Sequence, residues 1–240
     1  MQLAGKTVLL TGGSAGIGRE LARQLKAKGA QVVLTGRNVE RLDFMRAEGF
    51  ETIRADLSNA AGVDALVAEL GERSFDVLIN NAGQLIDHDF RKGSPDPDAA
   101  DEGIYANLQA PIRLIAAMVP MLKARPEAAI VNVTSGLAIA PASRQPIYCA
   151  TKAGLRSYTL ALRQQLADTK IRVIEALPPV VDTQMNADNA MSKMPAEECA
   201  RQIVSAIENN HDEANIGQVK LLRLVDGISP ALARRIMIRF

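Results

Sequence analysis

The sequence opens with an apolar run, a glycine-rich turn and an amphipathic helical segment that follow one another without a linker. Thr7–Thr11 is apolar on both faces of an extended chain, which is typical of a strand buried inside a parallel sheet. Gly12, Gly16 and Gly18 lie in the turn, and Ile17–Lys28 has the periodicity of a helix. Because a strand buried on both faces needs helices on both sides, this unit restricts the chain to an α/β architecture.

The same alternation continues along the chain. Further short apolar runs predict strands at Gln31–Thr35, Thr52–Ala55, Val77–Asn80, Ala129–Thr134 and Arg172–Ala176. Periodic segments predict helices at Val39–Glu48, Ala60–Glu72, Asp101–Lys123, Ile147–Ala167 and Pro195–Asn209, with a kink at Pro111. The alternation predicts a doubly wound parallel sheet of the Rossmann type, with helices on both faces, folded as a single domain over residues 1–240.

Composition narrows the classes of function. The 28 basic and 27 acidic residues give a formal net charge of +1, which does not favour nucleic acid as a partner. Two cysteines and two histidines are too few for a disulfide framework or a metal site, so we expect no metal and a reducing, cytoplasmic location. No stretch approaches the ~20 apolar residues of a membrane helix, and the N-terminus lacks the basic lead of a signal peptide.

The glycine turn suits the phosphates of a dinucleotide. Gly12 permits a tight turn, Gly16 lets the backbone approach a pyrophosphate, and Gly18 lets helix and strand pack closely. The N-terminus of the helix adds free N–H groups and a partial positive charge. The alternative is a glycine cluster that serves only as a turn, and the strand–turn–helix context favours the dinucleotide.

Three further residues predict acid–base chemistry at one place. Tyr148 and Lys152 are four apart on a predicted helix and share one face, and we expect the ammonium to lower the pKa of the phenol. Ser135 ends the fifth predicted strand, and ligands bind at the carboxyl ends of strands in such sheets. A carbonyl oxygen held there would accept hydrogen bonds from Ser135 and Tyr148. Taken alone, Ser135 is equally a cap or turn residue.

Together these motifs resemble the short-chain dehydrogenase/reductase family over roughly residues 5–184. The motifs that carry the resemblance are Thr11-Gly12-x-x-x-Gly16-x-Gly18, Asn80-Asn81-Ala82-Gly83 and the order Ser135, Tyr148, Lys152. The resemblance implies a nicotinamide cofactor and hydride transfer at a carbonyl or alcohol. The residues around Ser135 and Tyr148 are also similar to a bacterial branch that includes an oxidoreductase associated with D-alanylation of lipoteichoic acid.

The resemblance assigns further residues to the site. It implies that Asn107 holds a water in a proton relay to Lys152, the alternative being a solvent-facing polar residue. Pro179 stands where the family has a glycine, and we expect it to stiffen the turn near the nicotinamide. The residues predicted to bind the cofactor are Gly12, Ser14, Gly16, Ile17, Gly18, Arg37, Asp56, Leu57, Asn81, Ala82, Gly83, Tyr148, Lys152, Pro178, Val181 and Thr183.

The end of the second strand indicates which cofactor binds. An acidic residue there would hold the ribose 2′-hydroxyl of NAD, but the chain has Gly36 followed by Arg37. A guanidinium suits a 2′-phosphate, and the resemblance implies Ser14 and Arg19 nearby. NADP(H) is therefore favoured over NAD(H), with a solvated surface charge as the alternative for Arg37.

The functional hypothesis is an NADP(H)-dependent oxidoreductase that transfers a hydride between the nicotinamide and a small carbonyl or alcohol substrate. One alternative is a regulator that senses NADP(H) without turnover, for which the catalytic set has no use. The other is an epimerase or dehydratase with the same Tyr–Lys pair, and such enzymes usually carry a larger C-terminal domain. We expect a homodimer or homotetramer.

The C-terminal region departs from the family. Residues 182–210 are predicted to contain a substrate lid, and residues 217–240 form a divergent tail. Many members have a strand between a Gly-Gln pair and a final Val-Asp-Gly-Gly, but Ile228 replaces the last glycine here. Ala231 to Phe240 mixes cationic and apolar residues and predicts an amphipathic helix. Such a helix would close the substrate pocket, pack on a second subunit or touch a membrane surface, and the first two are favoured.

Overall fold

The strands of the chain pair into one large sheet and one small ribbon. The computed structural model describes residues 1–86, 88–187 and 191–240, apart from the side chain of Lys92. The strands are β1 (Thr7–Leu10), β2 (Gln31–Gly36), β3 (Glu51–Arg54), β4 (Val77–Asn80), β5 (Ala128–Val133), β6 (Ile171–Leu177), β7 (Val181–Asp182), β8 (Met194–Pro195) and β9 (Glu213–Asn215). β7 pairs with β8, and the other strands form one parallel sheet in the order β3-β2-β1-β4-β5-β6-β9.

Helices cover both faces of this sheet. They are α1 (Gly16–Ala27), α2 (Val39–Ala47), α3 (Ala60–Leu70), α4 (Pro97–Ile104), α5 (Ala110–Lys123), α6 (Pro146–Gln165), α7 (Ala196–Glu208), α8 (Val219–Ile228) and α9 (Pro230–Met237). Val8 and Leu10 of β1 pack into a core with α1, α2 and α7, whereas Leu9 packs into the core with α3, α5 and α6. Successive side chains of each strand thus enter opposite cores, which explains why the strands read as continuous apolar runs.

The predicted doubly wound fold is confirmed, and each of the six predicted strands is observed with ends shifted by at most one residue. Three observed strands were not predicted, namely β7 and β8 of the small ribbon and β9 of the large sheet. β9 shows why. Its sequence, Glu-Ala-Asn, contains no apolar run, and it is held at the sheet edge by pairing with β6. Its backbone register therefore comes from a tertiary contact that the local sequence does not display.

The predicted helix Asp101–Lys123 is divided into three parts. α4 ends at Ile104, a π-helical turn follows over Tyr105–Gln109, and α5 starts at Ala110. The N–H of Ala110 donates to the carbonyl of Tyr105, five residues back. Pro111 has no N–H and lies in the first turn of α5, where a missing donor is tolerated. The disruption predicted at Pro111 therefore takes the form of a wider turn just before it.

Two expectations concern the C-terminal third. α7, which lies within the predicted lid region (182–210), buries Cys199 and Ile203 in the core against α1, and the lid itself stays a prediction. Residues 188–190 of that lid lie outside the described residues. Where the resemblance implies a strand after Gly217-Gln218, the chain forms α8 and then α9. None of the described helices is long and apolar enough to cross a membrane.

Candidate active site

The candidate site is a cleft at the carboxyl edge of the sheet. The strand order reverses between β1 and β4, and open α/β sheets have their ligand crevice at such a point. The cleft has a volume of about 670 Å³. Every residue predicted for cofactor binding lines it, as do Ser135, Tyr148 and Lys152. Motifs that are far apart in the sequence thus meet in one pocket.

The glycine turn depends on close backbone approaches. Gly12 has a φ of +65°, and a Cβ there would lie 2.9 Å from the Cα of Ala82. A Cβ at Gly18 would lie 2.1 Å from the carbonyl oxygen of Gly12, so a side chain would force α1 away from the turn. α1 has no side-chain cap at its start, which leaves N–H groups available to an anion.

A polar bracket joins the glycine turn to the end of β4. The side-chain oxygen of Thr11 accepts hydrogen bonds from the N–H groups of Asn81 (3.0 Å) and Ala82 (3.0 Å). The Asn81 side chain donates to the carbonyl oxygens of Thr11 (3.0 Å) and Gly12 (3.1 Å). Asn81 therefore fixes the shape of the pocket by holding the turn in place.

Arg37 lies at the end of the cleft nearest β2. Its guanidinium is exposed and approaches the side-chain oxygen of Gln84 at 3.4 Å. Ser14 lies beside it, since a Cβ at Gly36 would come within 2.7 Å of the Ser14 hydroxyl. Arg19 was expected nearby, but it pairs with Glu20 at 3.4 Å and does not line the cleft. One step along a helix rotates a side chain by about 100°, which takes position 19 away from the inward-facing Gly18.

Arg41 is a site residue that the sequence reasoning missed. It lines the cleft and donates a hydrogen bond to the side chain of Gln184, which lies in the turn after β7. Arg41 lies in the first turn of α2, and no local pattern of the sequence distinguishes it from a surface arginine. Arg37 and Arg41 place two guanidinium groups at the same end of the cleft.

Ser135, Tyr148 and Lys152 converge at the other end. Ser135 follows β5, and its side chain is close enough to that of Tyr148 to lower the pKa of the phenol. Lys152 is buried one turn further along α6, and its ammonium donates to the carbonyl of Val133 (2.9 Å) and lies 5.7 Å from the centroid of the Tyr148 ring. Ser135 also accepts a hydrogen bond from the N–H of Leu137 (3.1 Å), so it is a turn residue as well.

Burial governs the pKa values of this cluster. Burial raises the pKa of Tyr148 to about 12, although the hydrogen bond with Ser135 lowers it in part. Burial lowers the pKa of Lys152 to about 8. Loss of hydration is the largest cause of this shift, and the lowering expected from the Lys152 ammonium stays a prediction for the cofactor-bound protein. Tyr148 is protonated at neutral pH and is a potential proton donor.

Asn107 lies behind the wall of the cleft, within the π-helical turn. It is fully buried, so the solvent-facing alternative is wrong. Its side-chain oxygen accepts from the N–H of Gln84 (2.9 Å), and its amide nitrogen donates to the carbonyl of Gln84 (2.9 Å) and to the hydroxyl of Thr151 (3.3 Å). Both amide hydrogens are thus used. The backbone carbonyl of Asn107 has no α-helical donor, because its i+4 residue is Pro111.

A buried ion pair that the sequence reasoning missed lies next to the cluster of Ser135, Tyr148 and Lys152. Glu175 of β6 is fully buried, accepts a hydrogen bond from the Thr134 hydroxyl (2.6 Å) and pairs with Arg156. Burial raises the pKa of Glu175, whereas the Thr134 hydrogen bond and Arg156 lower it. Thr134 precedes Ser135, and Arg156 lies one turn beyond Lys152. The pair therefore fixes α6 relative to the end of β5.

The C-terminal region borders the end of the cleft that holds Ser135. A Cβ at Gly136, next to Ser135, would lie 2.9 Å from Val219 and 3.6 Å from Leu222 of α8. The N–H of Gly136 donates to the carbonyl of Pro178 (2.9 Å), which lines the cleft. Within the described part of the chain, no three His, Cys, Asp or Glu side chains are grouped to hold a metal ion.

The cleft fits a dinucleotide of the nicotinamide type. Gly16 has a φ of +52°, and a Cβ there would lie 2.9 Å from the Thr183 side chain. The cleft between Gly16 and Thr183 is therefore too narrow for a side chain at position 16. The uncapped N–H groups at the start of α1 lie in one part of the cleft, where they could bind phosphates. The hydroxyls of Ser135 and Tyr148 line another part of the cleft. The fold and this site define a Rossmann-type oxidoreductase.

Comparison with known proteins gives the family. Residues 6–193 match the model of the short chain dehydrogenase family, and the chain belongs to that family. It is 44% identical over 190 residues to the uncharacterized oxidoreductase DltE of Bacillus subtilis (strain 168), an alignment that covers 78% of this chain and 75% of that protein.

Two solved structures share the fold over most of their length. A short chain dehydrogenase from Burkholderia cenocepacia J2315, in complex with NADP, has a TM-score of 0.87 and 26% identity and covers 99% of each chain. A 3-ketoacyl-(acyl-carrier-protein) reductase from Brucella melitensis, complexed with NADH, has a TM-score of 0.78 and 27% identity and covers 85% of this chain and 91% of that one. Relatives of this chain thus bind both nicotinamide cofactors.

Proposed function

We propose that this protein is an NADP(H)-dependent oxidoreductase that transfers a hydride between the nicotinamide and a carbonyl or alcohol substrate. The observation that carries the proposal is that Ser135, Tyr148 and buried Lys152 meet in the cleft that the glycine turn and Arg37 also line. A pocket that only sensed the cofactor would have no use for a paired proton donor. A cytoplasmic location and a homodimeric or homotetrameric assembly are part of the same proposal.

The residues of the cleft divide between the parts of the cofactor. The glycine turn with Ile17 would hold the pyrophosphate, Asp56 and Leu57 the adenine, and Arg37 with Ser14 the 2′-phosphate. Tyr148 and Lys152 would hold the nicotinamide ribose. Pro178, Val181 and Thr183 would contact the nicotinamide, and Asn81, Ala82 and Gly83 would line the cofactor's path across the sheet. When bound, the reduced cofactor supplies the hydride.

The chain itself handles the substrate oxygen and its proton. Ser135 and Tyr148 both donate hydrogen bonds to a carbonyl oxygen, which orients it and polarises the carbonyl. Tyr148 then gives its proton to the oxygen as negative charge develops there. The ammonium of Lys152 favours the resulting phenolate. The backbone carbonyl of Asn107, which no i+4 donor occupies, holds the water that returns a proton through Lys152.

The first experiment measures NADPH oxidation by the purified protein with a panel of aldehydes, ketones and quinones, and compares it with NADH. Turnover with NADPH on at least one member, with formation of the matching alcohol, supports the proposal. Tight NADPH binding without turnover of any member would favour a sensor. A substrate that is converted without net loss of NADPH would favour an epimerase or dehydratase.

Replacement of Arg37 by alanine should remove the preference of the protein for NADPH over NADH, measured as the ratio of the two KM values. We expect KM for NADPH to rise by about 10- to 100-fold and KM for NADH to change little, because a charge-assisted contact to the 2′-phosphate is worth about 1.5–3 kcal/mol. Arg46→Ala is the matched control, since Arg46 is an exposed arginine of α2 that pairs with Asp43 outside the cleft. Equal KM changes for both cofactors would contradict the assignment of Arg37.

The rate of alcohol oxidation and the rate of carbonyl reduction should depend differently on pH. Alcohol oxidation needs the Tyr148 phenolate, and the pKa of about 12 means that the competent fraction rises about tenfold per pH unit below it. The rise should become shallower above the Lys152 pKa of about 8, where the ammonium is lost. Carbonyl reduction needs the phenol and should vary far less between pH 6 and 9.

Ser135→Ala supplies the control for this profile. The hydrogen bond from Ser135 lowers the pKa of Tyr148, so its loss should shift the oxidation profile toward higher pH. The rates are measured under saturating cofactor, and NADPH affinity is determined at each pH. An oxidation rate that is independent of pH, or a shift to lower pH in the variant, would show that another group carries the proton.

A further inference from the structure

α8 and α9 form a helical hairpin at the C-terminus, and one side of it has no partner in the described part of the chain. On α8, Leu221, Leu224 and Ile228 follow one another at helical spacing and are 65%, 61% and 79% exposed. Val219 on the opposite side of the helix is buried against the body of the protein. These three side chains therefore point away from the core.

The exposed apolar surface continues on α9. Leu232 and Ile236 are one turn apart and are 49% and 45% exposed, whereas Ala233 between them is fully buried. Ile238 and Phe240, which follow α9, are 45% and 44% exposed. The segment 231–240 that the sequence singled out is thus only half of a larger surface, which we call the hairpin face: Leu221, Leu224, Ile228, Leu232, Ile236, Ile238 and Phe240. Apolar surface of this extent marks an interaction site.

The charges around the hairpin face are almost all positive. Asp226 is the single acidic side chain between residues 219 and 240, and the basic ones are Lys220, Arg223, Arg234, Arg235 and Arg239. Arg223 pairs with Glu213 (3.7 Å) and Asp226 (3.6 Å). Lys220 interacts electrostatically with Glu198, whereas Arg234, Arg235 and Arg239 form no salt bridge among the described residues. An occupant of this face must therefore accept several cations together with aliphatic side chains.

We infer that the hairpin face docks on the surface of an anionic lipid bilayer. Anionic headgroups take up the lysine and arginines, and the aliphatic side chains enter the boundary between headgroups and acyl chains. A second copy of the chain fits less well, because a two-fold contact would place the arginines of one hairpin near those of the other. The hairpin touches Gly136, so docking would bring the catalytic end of the cleft close to the bilayer.

The test is co-sedimentation of the full chain with phosphatidylcholine vesicles that do or do not contain phosphatidylglycerol. The expected result is binding to the anionic vesicles only, released by high salt. Leu221→Ser with Leu224→Ser, and separately Arg234→Glu with Arg235→Glu, should each weaken binding by about tenfold or more. Phe44→Ser with Arg46→Glu on α2 is the matched control, since both residues are exposed and lie outside the hairpin.

Three outcomes would overturn the inference: no binding of the wild type, equal binding to neutral vesicles, or the same loss in the α2 control. If the Leu221/Leu224 variant instead changes the oligomeric state and leaves vesicle binding intact, the hairpin face is an interface between copies. Circular dichroism shows whether each variant is folded. NADPH oxidation with a water-soluble carbonyl should be unchanged in the hairpin variants, so docking and the proposed catalysis can fail independently.

Discussion

Tyr148→Phe should lower kcat/KM for carbonyl reduction by about 10²- to 10⁴-fold, which is the range for loss of a positioned proton donor. The ring and its packing remain, so we expect the free energy of unfolding to be nearly unchanged and the Kd for NADPH to change far less than the rate. Steady-state NADPH oxidation measures the first effect. Calorimetric titration with NADPH measures the second, and the split between them separates proton donation from cofactor binding.

Tyr158→Phe is the control for this variant. Tyr158 lies on the same helix, and its pKa is also raised by burial, but it packs against the core formed with α3 and α5 and does not line the cleft. It should keep nearly full activity. A Tyr148→Phe enzyme that retained more than about a tenth of the wild-type rate would contradict the assigned role of Tyr148, because another group would then supply the proton.

Arg156→Ala should reduce the free energy of unfolding by about 3–5 kcal/mol, the usual cost of removing one partner of a buried ion pair. The arginine side chain is 12% exposed and that of Glu175 is fully buried, so the variant would leave a carboxylate without its counter-ion inside the protein. Urea unfolding monitored by circular dichroism measures the effect. Activity should fall as well, because Arg156 and Thr134 hold α6 against the end of β5.

Two variants make this second prediction specific. Arg163→Ala removes an arginine of the same helix that donates only to backbone carbonyls in the described contacts, and it should cost less. Glu175→Gln in the Arg156→Ala background should recover stability, because the buried charge is then gone.

Burial raises the pKa of Glu175, so the folded Arg156→Ala protein should bind a proton there more readily than the unfolded chain. Its stability should therefore rise as the pH falls, and a loss of stability would contradict the ion-pair account.

The fold was predictable because its signals are local. Each of the six predicted strands is a short apolar run, and the spacing of Gly12, Gly16 and Gly18 predicts the tight turn. The meeting of the three proposed catalytic residues in one cleft could be predicted for the same reason, since Tyr148 and Lys152 share a helical face and Ser135 ends a strand. Periodicity and spacing are properties of neighbouring residues, and a sequence displays them directly.

The features that were missed depend on distant parts of the chain. β9 becomes a strand only by pairing with β6, and Arg41 belongs to the cleft because Gln184 lies opposite it. The raised pKa of Tyr148 follows from the burial of a side chain, which no local pattern gives. The sequence alone could not distinguish an exposed hairpin of α8 and α9 from a helix that closes the pocket. The exposure of the Leu221 and Ile228 side chains in the structure distinguishes the two.

The most direct test of the central claim follows deuterium from NADPH labelled at the transferring C4 position of the nicotinamide. The protein is given a carbonyl compound that supports NADPH oxidation, and the product is examined by mass spectrometry. The account predicts an alcohol with one deuterium on the former carbonyl carbon and one equivalent of NADP⁺, and it predicts that Tyr148→Phe forms both about 10²- to 10⁴-fold more slowly. Bound NADPH whose label is never transferred, or a product formed without consumption of NADPH, would contradict it.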